Sequence, residues 1–338
     1  MTTRRLLIGL CVTALFTAAC SSSSTSPSSN AASGRPLTTV PVILGFTFDA
    51  SYYPLYYGIE HGIFAKYGIN LKMVPNTSGS ELSQSQVDSG KISFGISDLS
   101  TYMEARSKLQ TNSTPVMVYM GFPNFGIASR APLHSLHDLV GKTWATVAQS
   151  SGRQTFPYLL KSNGVNPNSV TVRFYEFSAL YPALLSGKIF SAESDLVGSW
   201  EALSAEAKKA GVPLYFTPGV AHGLRGYNNL VIANNHVIQT DPGLVRRFVA
   251  AVDSSLKAAF AHGTTADVVR LTRRYDPQGT PAVDTQVWQD FKKYGSGSFG
   301  AINPAIVAAT GKQLEATSGL KITQPTSAFY TNRFVPAG

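Results

Sequence analysis

One phrase of eleven residues occurs twice in this chain of 338 residues. Residues 89–99 read SGKISFGISDL and residues 186–196 read SGKIFSAESDL, so seven of the eleven positions are identical at a constant offset of 97. Chance, a repeat array and two similar lobes are the three competing explanations. Repeat arrays have periods of about 20–50 residues and need at least three copies. Two similar lobes therefore fit this spacing best.

Both copies lie at the same place in an alternating pattern of strands and helices. Each contains the end of a predicted helix, a strand and the start of the next helix, which disfavours chance. Strands that alternate with helices at this pace indicate parallel βαβ units. The clearest helix covers residues 241–263, with Asp241 as its cap and Gly263 as its stop. The predicted strands are 38–46, 69–75, 92–96, 115–121, 143–147, 169–176, 189–194 and 228–235.

The N-terminal segment is predicted to lie outside the fold. A basic start followed by a short apolar run is typical of an export signal and is too short to span a membrane. Small residues precede Cys20, which resembles the bacterial lipoprotein signal in which that cysteine is lipidated, although Thr17 stands where the motif usually has Leu, Val or Ile. An ordinary cleaved signal is the alternative. We predict a lipoprotein signal peptide over 1–20 and a flexible Ser-rich tether over 21–37.

Cysteine content and charge distribution exclude several classes of function. Besides Cys20 the chain has only Cys11, inside the predicted signal, so the folded body has no disulfide, thiol nucleophile or thiolate metal site. Basic residues never form a run longer than two, so no nucleic-acid partner is expected. The sequence GSGSFG at 295–300 follows a helical pattern, not a strand, and is read as a loop. The segment HSLHD at 134–138 is read as a helix cap, so neither a metal nor a cofactor is predicted.

Several segments are similar, in order, to ABC-transporter solute-binding proteins of the thiamine-precursor, nitrate, taurine and alkanesulfonate group. The opening YYPLYYGIEHGIFAKYGINLKMVPNTSGSE and the later VDSGKISFGISD resemble the start of those proteins. LHSLHDLVGKTWATVAQSSG at 133–152 resembles their second lobe, and DPGLVRRFVAAV resembles the helix that follows the return to the first. The resemblance covers about residues 40–265. It implies an α/β fold of the type II periplasmic-binding-protein class, in which two lobes of mainly parallel sheet flanked by helices enclose a ligand cleft. The predicted lobes are 38–125 with 228–338, and 126–227.

The resemblance also implies a function without catalysis. We expect a monomeric receptor, held on the outer face of the cell membrane by its lipid anchor alone, that captures a small molecule for the permease and ATPase of an ABC importer. Two ligand classes stay open: a heteroaromatic such as a thiamine pyrimidine precursor or flavin, and a small anion such as an alkanesulfonate, taurine or nitrate. The Tyr-rich stretch after the first strand favours the heteroaromatic. A sensor lipoprotein is a further alternative. An enzyme of the thiamine-pyrimidine synthase type is disfavoured, because such enzymes use a cysteine-rich segment that this body lacks.

Ligand contacts are expected from both copies of the repeated phrase. Parallel sheets bind ligands beyond the carboxyl ends of their strands, where helix starts offer free N–H groups. Aromatic rings there can stack on a flat ligand, and Arg153 can hold an anion, although core packing and a solvated surface are the respective alternatives. The first wall is predicted to contain Phe48, Asp49, Tyr52, Tyr53, Gly79, Ser80, Ser97 and Asp98. The second wall is predicted to contain Ser150, Ser151, Arg153, Ser194, Asp195 and Trp200.

Overall fold

The computed structural model describes residues 36–108 and 110–337. The predicted signal peptide, the lipidation site Cys20 and nearly all of the tether lie outside these residues. Within the part of the chain that is described, no helix combines the length and the apolar character needed to span a bilayer.

Strands and helices alternate along the described chain, as the sequence pattern predicts. The strands are β1 Thr38–Ile43, β2 Ile69–Val74, β3 Phe94–Ser97, β4 Ser113–Met120, β5 Phe125–Ser129, β6 Thr143–Thr146, β7 Thr171–Phe174, β8 Ser191–Asp195, β9 Tyr215–Pro218 and β10 Asn229–Asn234. The α-helices are α1 Tyr53–Glu60, α2 Ile63–Lys66, α3 Ser80–Asp88, α4 Leu99–Ser107, α5 Gly152–Ser162, α6 Phe177–Leu185, α7 Ser199–Lys209, α8 Asn235–Thr240, α9 Pro242–His262, α10 Thr265–Thr272, α11 Pro281–Gly295 and α12 Pro304–Ser318.

Two five-stranded sheets form the centres of two lobes, and their strand orders match position by position. The first sheet has the order β2-β1-β3-β10-β4, and the second has the order β7-β6-β8-β5-β9. One strand in each sheet runs against the other four: β10 in the first and β5 in the second. These are the first strands after the chain crosses from one sheet to the other. The two copies of the repeated phrase form β3 and β8, which occupy the same place in their sheets. The repeat therefore reflects two equivalent lobes, and the exact lobe boundaries stay a prediction.

Most of the predicted elements are confirmed, with two differences that have local causes. The helical spacing of Leu55, Ile59 and Phe64 predicts one helix that stops at Gly68, but Gly62, with a positive φ of 65°, separates α1 from α2. Strands β5 and β9 have no clear sequence signal, since one reads FGIAS and the other ends in proline. Strand β5 pairs with β8 and with β9, and β9 pairs with β5 at the edge of the sheet, so tertiary contacts supply what local propensity does not.

Each lobe has a hydrophobic core formed by its strands and helices. In the first lobe α9 packs on α1, and the predicted cap is confirmed by a hydrogen bond of 2.8 Å from Leu244 N–H to the Asp241 carboxylate. In the second lobe the indole of Trp144 on β6 stacks on Phe156 of α5, with 3.9 Å between ring centroids. Both of these residues are almost fully buried.

The C-terminal part of the chain supports the first crossing between the sheets. A Cβ atom on Gly121, just after β4, would lie 1.7 Å from the carbonyl oxygen of Ser298, so only glycine fits. Next to it, Val118 and Gly300 exchange backbone hydrogen bonds of 2.8 and 2.9 Å. The start of the crossing is thus fixed to the loop between α11 and α12.

Candidate functional site

A cleft lies between the two sheets, where the strands of both lobes end. Its free volume is about 690 Å³, a figure that includes the opening to solvent. The structure brings together eight of the predicted contact residues in its lining: Asp49, Tyr52, Gly79, Ser80, Ser150, Ser151, Ser194 and Asp195. Both lobes therefore contribute to one cavity.

The first wall is built from the turn that follows β1. Asp49 caps a single 3₁₀ turn and accepts a hydrogen bond of 2.7 Å from Ser51 N–H. Tyr52 lines the cavity but is only 3% exposed, because its ring packs near Tyr119 and its hydroxyl accepts a hydrogen bond of 3.1 Å from Phe46 N–H. Its ring is therefore shared between the core and the cleft.

The walls meet at Gly79, at the start of α3. Its φ of +98° favours glycine, and a Cβ atom there would lie 2.7 Å from the carbonyl oxygen of Gln149 in the other lobe. The same carbonyl accepts a hydrogen bond of 3.2 Å from Glu81 N–H. The lobes are thus in direct contact at one edge of the cleft.

The second wall has Glu193 at its centre. This carboxylate accepts hydrogen bonds from Ser150 Oγ at 2.6 Å and from Thr146 Oγ1. A Cβ atom on Gly152 would lie 2.2 Å from Glu193 Oε2, so glycine at the start of α5 makes room for the carboxylate. Asp195 follows on β8, and its backbone N–H donates to Ser199 Oγ at 2.7 Å.

Three carboxyl groups line the cleft, and none of the described residues in the lining is Lys, Arg or His. Burial raises the pKa of Asp49 to about 6, against the hydrogen bonds from Ser51 that lower it. Burial also raises the pKa of Glu193, against hydrogen bonds from Ser150 and Thr146. The pKa of Asp195 is raised well above its ordinary range by burial, and further by the neighbouring charges of Glu193 and Asp49. The cleft is therefore lined by carboxyl groups whose charged forms are disfavoured by burial, and the described residues of the lining include no cation to stabilise those forms.

The remaining predicted aromatic residues lie outside the cavity lining. Tyr53 is fully buried, with its ring edge-on to Trp288 at 4.8 Å. Phe48 packs near Tyr275, and Trp200 stacks on Phe216 with 5.0 Å between ring centroids. These rings pack against the core, which was the alternative to their stacking on a ligand.

The two copies of the repeated Ser-Asp pair have different surroundings. Ser97 is fully buried, and Asp98 caps α4 by accepting a hydrogen bond of 2.9 Å from Thr101 N–H. In the second copy, α7 starts only at Ser199, after a glycine with a φ of +122°. Asp195 therefore does not cap the helix, and its side chain faces the cleft instead.

Arg153 also lies outside the cavity lining. Its guanidinium forms an ion pair with Glu81 of the other lobe, and Gln154 donates to the same carboxylate at 3.2 Å. Both charged side chains are partly exposed, at 40% and 29%. The pair joins the lobes in a groove outside the cleft.

Sequence reasoning missed several residues of the lining. Glu193 had a usable signal, because it places a carboxylate inside a buried strand where the first copy of the phrase has Ile96. Asn124 lies in the first crossing and holds the turn after β8, donating to Val197 O at 2.9 Å and accepting from Val197 N–H at 2.7 Å. Other lining residues outside the predicted set include Phe46, Phe177, Tyr181, Asn228 and Asn229. Among the described residues, no group of three or more His, Cys, Asp or Glu is arranged to hold a metal ion.

Comparisons with known proteins agree with this architecture. A family model described as NMT1/THI5 like matches residues 49–266. No curated protein matches the sequence. Among solved structures, the chain is similar to the alkanesulfonate-binding protein SsuA from Xanthomonas axonopodis pv. citri bound to MOPS, with a TM-score of 0.68 and 12% identity over 88% of this chain and 99% of that one.

Two further structures show the same similarity. The periplasmic aliphatic sulphonate-binding protein SsuA from Escherichia coli has a TM-score of 0.63 and 12% identity, covering 82% of this chain and 86% of its own. A Candida albicans protein described as having the generic periplasmic-binding-protein fold has a TM-score of 0.67 and 12% identity, covering 89% of this chain and 99% of its own. The predicted two-lobed fold of that class is confirmed.

Proposed function

Because the chain belongs to the NMT1/THI5-like family, we propose that it is the extracytoplasmic solute-binding receptor of an ABC importer. The observation that carries this proposal is the cleft itself, which takes its lining from both lobes and holds polar side chains at the strand ends. The groups around it bind and orient a solute, and no nucleophile paired with a base is needed for that role.

We assign the ligand to the heteroaromatic class, for two reasons. Aromatic rings from both lobes face the cleft: Phe46 of the first lobe meets Phe177 of the second edge-on at 4.6 Å, and Tyr181 lies beside them in the lining. A flat ring can stack or pack edge-on in such a place. In addition, a sulfonate or nitrate would lie among three carboxyl groups, and the described lining holds no Lys, Arg or His to pair with its charge. The sulfonate-binding proteins named above are similar in fold, and this lining disfavours the same ligand here.

Ligand release is proposed to follow from motion about the two crossings, near Gly121–Gly126 and Gly226–Asn229. The lobes touch at Phe46 with Phe177 and at Gly79 with Gln149, which is the arrangement of a closed cleft. Closing around a ligand is a common hinge motion of this fold class, and the closed shape is what a permease would recognise. Genes for a permease and an ATPase beside the gene for this chain would separate an importer from a sensor.

A ligand panel tests the proposal directly. Thermal unfolding is measured with pyrimidines, flavins, sulfonates, nitrate and amino acids, since a ligand at 100 times its Kd stabilises the folded state by about 2.7 kcal/mol. We expect stabilisation by a heteroaromatic compound, confirmed by calorimetry. Phe177→Ala should weaken that binding, whereas the matched control Phe174→Ala should not, because Phe174 lies 54% exposed on β7 outside the cleft lining. Stabilisation by sulfonates or nitrate alone would contradict the heteroaromatic assignment and support the small-anion alternative.

A further inference from the structure

We infer that the cleft selects a small organic cation, a flat ring that carries a protonated or permanently charged nitrogen. The inference rests on the proposed function, because it takes the cleft as the place where the solute binds. It adds the charge of the ligand, which neither the family nor the fold assigns.

The first observation is the distribution of charge around the cavity. Asp49 approaches from the first lobe, and Glu193 and Asp195 approach from the second. The other ionisable groups that act on these three, or feel their charge, are Asp98, Glu201, Asp276 and Asp284 and the phenols of Tyr52, Tyr56, Tyr119 and Tyr181. None of these groups is a cation, so none of them supplies a positive charge that could pair with the cleft carboxylates.

The second observation is that two carboxyl oxygens are left available. Both oxygens of Glu193 accept hydrogen bonds, from Ser150 and Thr146. Asp49 uses Oδ1 for Ser51, and Asp195 uses Oδ2 for a long bond of 3.3 Å from Ser199 Oγ. No hydrogen bond among the described residues is given to Asp49 Oδ2 or Asp195 Oδ1. These oxygens lie on opposite walls. Either one can accept a hydrogen bond from a protonated ring nitrogen, or attract a permanently charged one without a hydrogen bond.

The surroundings favour an organic cation over a metal ion. Where the structure describes the chain, no three carboxylates, imidazoles or thiols are close enough together to form a metal site. The rings of Phe46, Phe177 and Tyr181 instead offer faces and edges to an organic cation, which gains from contact with aromatic faces.

The same arrangement couples binding to protons. Burial raises the pKa of Asp49 to about 6, with a smaller rise from the charge of Asp276. Burial and the charges of Glu193 and Asp49 raise the pKa of Asp195 well above its ordinary range, so these carboxyls keep their protons in the empty cleft at pH values at which exposed carboxyls are ionised. A cation stabilises the ionised carboxylates and lowers their pKa, so protons leave as the ligand enters. The affinity for a permanent cation should therefore rise as pH rises through the range near 6 in which Asp49 of the empty cleft loses its proton.

Calorimetry with one ring in three charge states tests the inference. The probes are 1-methylnicotinamide as the permanent cation, nicotinamide as the neutral ring and nicotinate as the anion, together with the pyrimidines and flavins of the ligand panel. We expect the cation to bind at least tenfold more tightly than the neutral ring and the anion to bind most weakly. Protons should be released on cation binding, as measured from the heats in buffers of different ionisation enthalpy.

Variants assign the effect to the cleft. Asp195→Asn should reduce the preference for the cation over the neutral ring at least fivefold and reduce proton release, whereas the exposed control Glu206→Gln on α7 should change neither. Glu193→Gln provides a second variant with the same expected direction. If rings bind without preference for the cation, or the anion binds best, the charge inference is overturned and the receptor function stands. If no ring in any charge state binds, the heteroaromatic assignment fails, and this inference fails with it.

Discussion

Glu201 offers a test of how burial controls charge in this fold, and the test needs no ligand. This residue lies in the first turn of α7, is 5% exposed and accepts a hydrogen bond of 2.9 Å from Gly198 N–H, while its Oε1 has no hydrogen-bond partner. That bond and the helix N-terminus favour the charged form. Burial outweighs both and raises the pKa of Glu201 to about 8, with a further rise from the nearby charges of Asp290 and Asp49.

The expected magnitude follows from linkage. An unfolded glutamate titrates near pH 4.5, so between about 4.5 and 8 the folded chain holds a proton at Glu201 that the unfolded chain has lost. The unfolded state then binds fewer protons, and the free energy of unfolding falls as pH rises through this window. The slope from this one group is about 1.4 kcal/mol per pH unit, and the total is on the order of 4–5 kcal/mol. Below the window the stability is fully present, and above it no further loss is expected.

Urea unfolding of the wild type and Glu201→Gln at pH 5, 6, 7 and 8 measures this slope. Glutamine is neutral throughout, so the variant lacks the contribution of Glu201 and keeps those of the other buried carboxyls. The stability of the wild type relative to the variant should therefore fall by roughly 3–4 kcal/mol between pH 5 and 8. The exposed control Glu206→Gln should run parallel to the wild type. Parallel profiles for the wild type and Glu201→Gln would mean that Glu201 is ionised in the fold, and the reasoning from burial would be wrong.

Three further predictions concern residues singled out in the sequence. Arg153→Ala should weaken the binding of any ligand less than about fivefold, because exposed ion pairs such as that between Arg153 and Glu81 contribute about 0.2–1 kcal/mol. A loss of affinity above about 30-fold, seen for anions only, would instead mean that Arg153 contacts the ligand. Tyr52→Ala should lower the free energy of unfolding by about 3–5 kcal/mol because the ring is buried. Tyr52→Phe should lower it by about 1 kcal/mol, because only the hydrogen bond from Phe46 N–H is lost. Equal stability of the wild type and both variants in urea would contradict the prediction that the ring is part of the core. Cys20→Ala should leave full-length precursor or release the protein from membranes, as seen by fractionation and mass spectrometry. Wild-type protein found wholly in the culture supernatant, cleaved at another bond, would argue against lipidation.

The sequence predicted those parts of the fold in which local signals and tertiary contacts agree. The long helix α9 has its cap, its apolar stripe and its stop within the chain, and it is confirmed with almost the predicted bounds. The repeated phrase predicted equivalent positions for β3 and β8, and the matching strand orders confirm them. Strands β5 and β9 depend on pairing partners that are distant in sequence, so composition alone did not reveal them.

The candidate site was less predictable, because the role of a side chain there depends on how many residues separate the end of a strand from the start of the next helix. Asp98 and Asp195 occupy identical positions in the repeat, yet the first caps a helix and the second faces the cleft, since α7 starts later after its strand than α4 does. Glu193 differs from its counterpart Ile96 by one substitution in a buried strand, and it brings a carboxylate to the centre of the second wall. Arg153 has the residue type expected for an anion site, but the relative position of the lobes gives it Glu81 as a partner.

The support given to Gly121 by the loop between α11 and α12 also limits the geometry of any swing between the lobes. Because the carbonyl of Ser298 fills the space beside Gly121, and Gly300 is tied to Val118, rotation has to begin after residue 121 and to use the few backbone angles before β5. A pivot with so few free angles allows a narrow arc and a reproducible end point. The precision of that end point therefore depends on the loop around Ser298. This loop lies outside the residues matched by the family model and almost 180 residues after Gly121 in the chain.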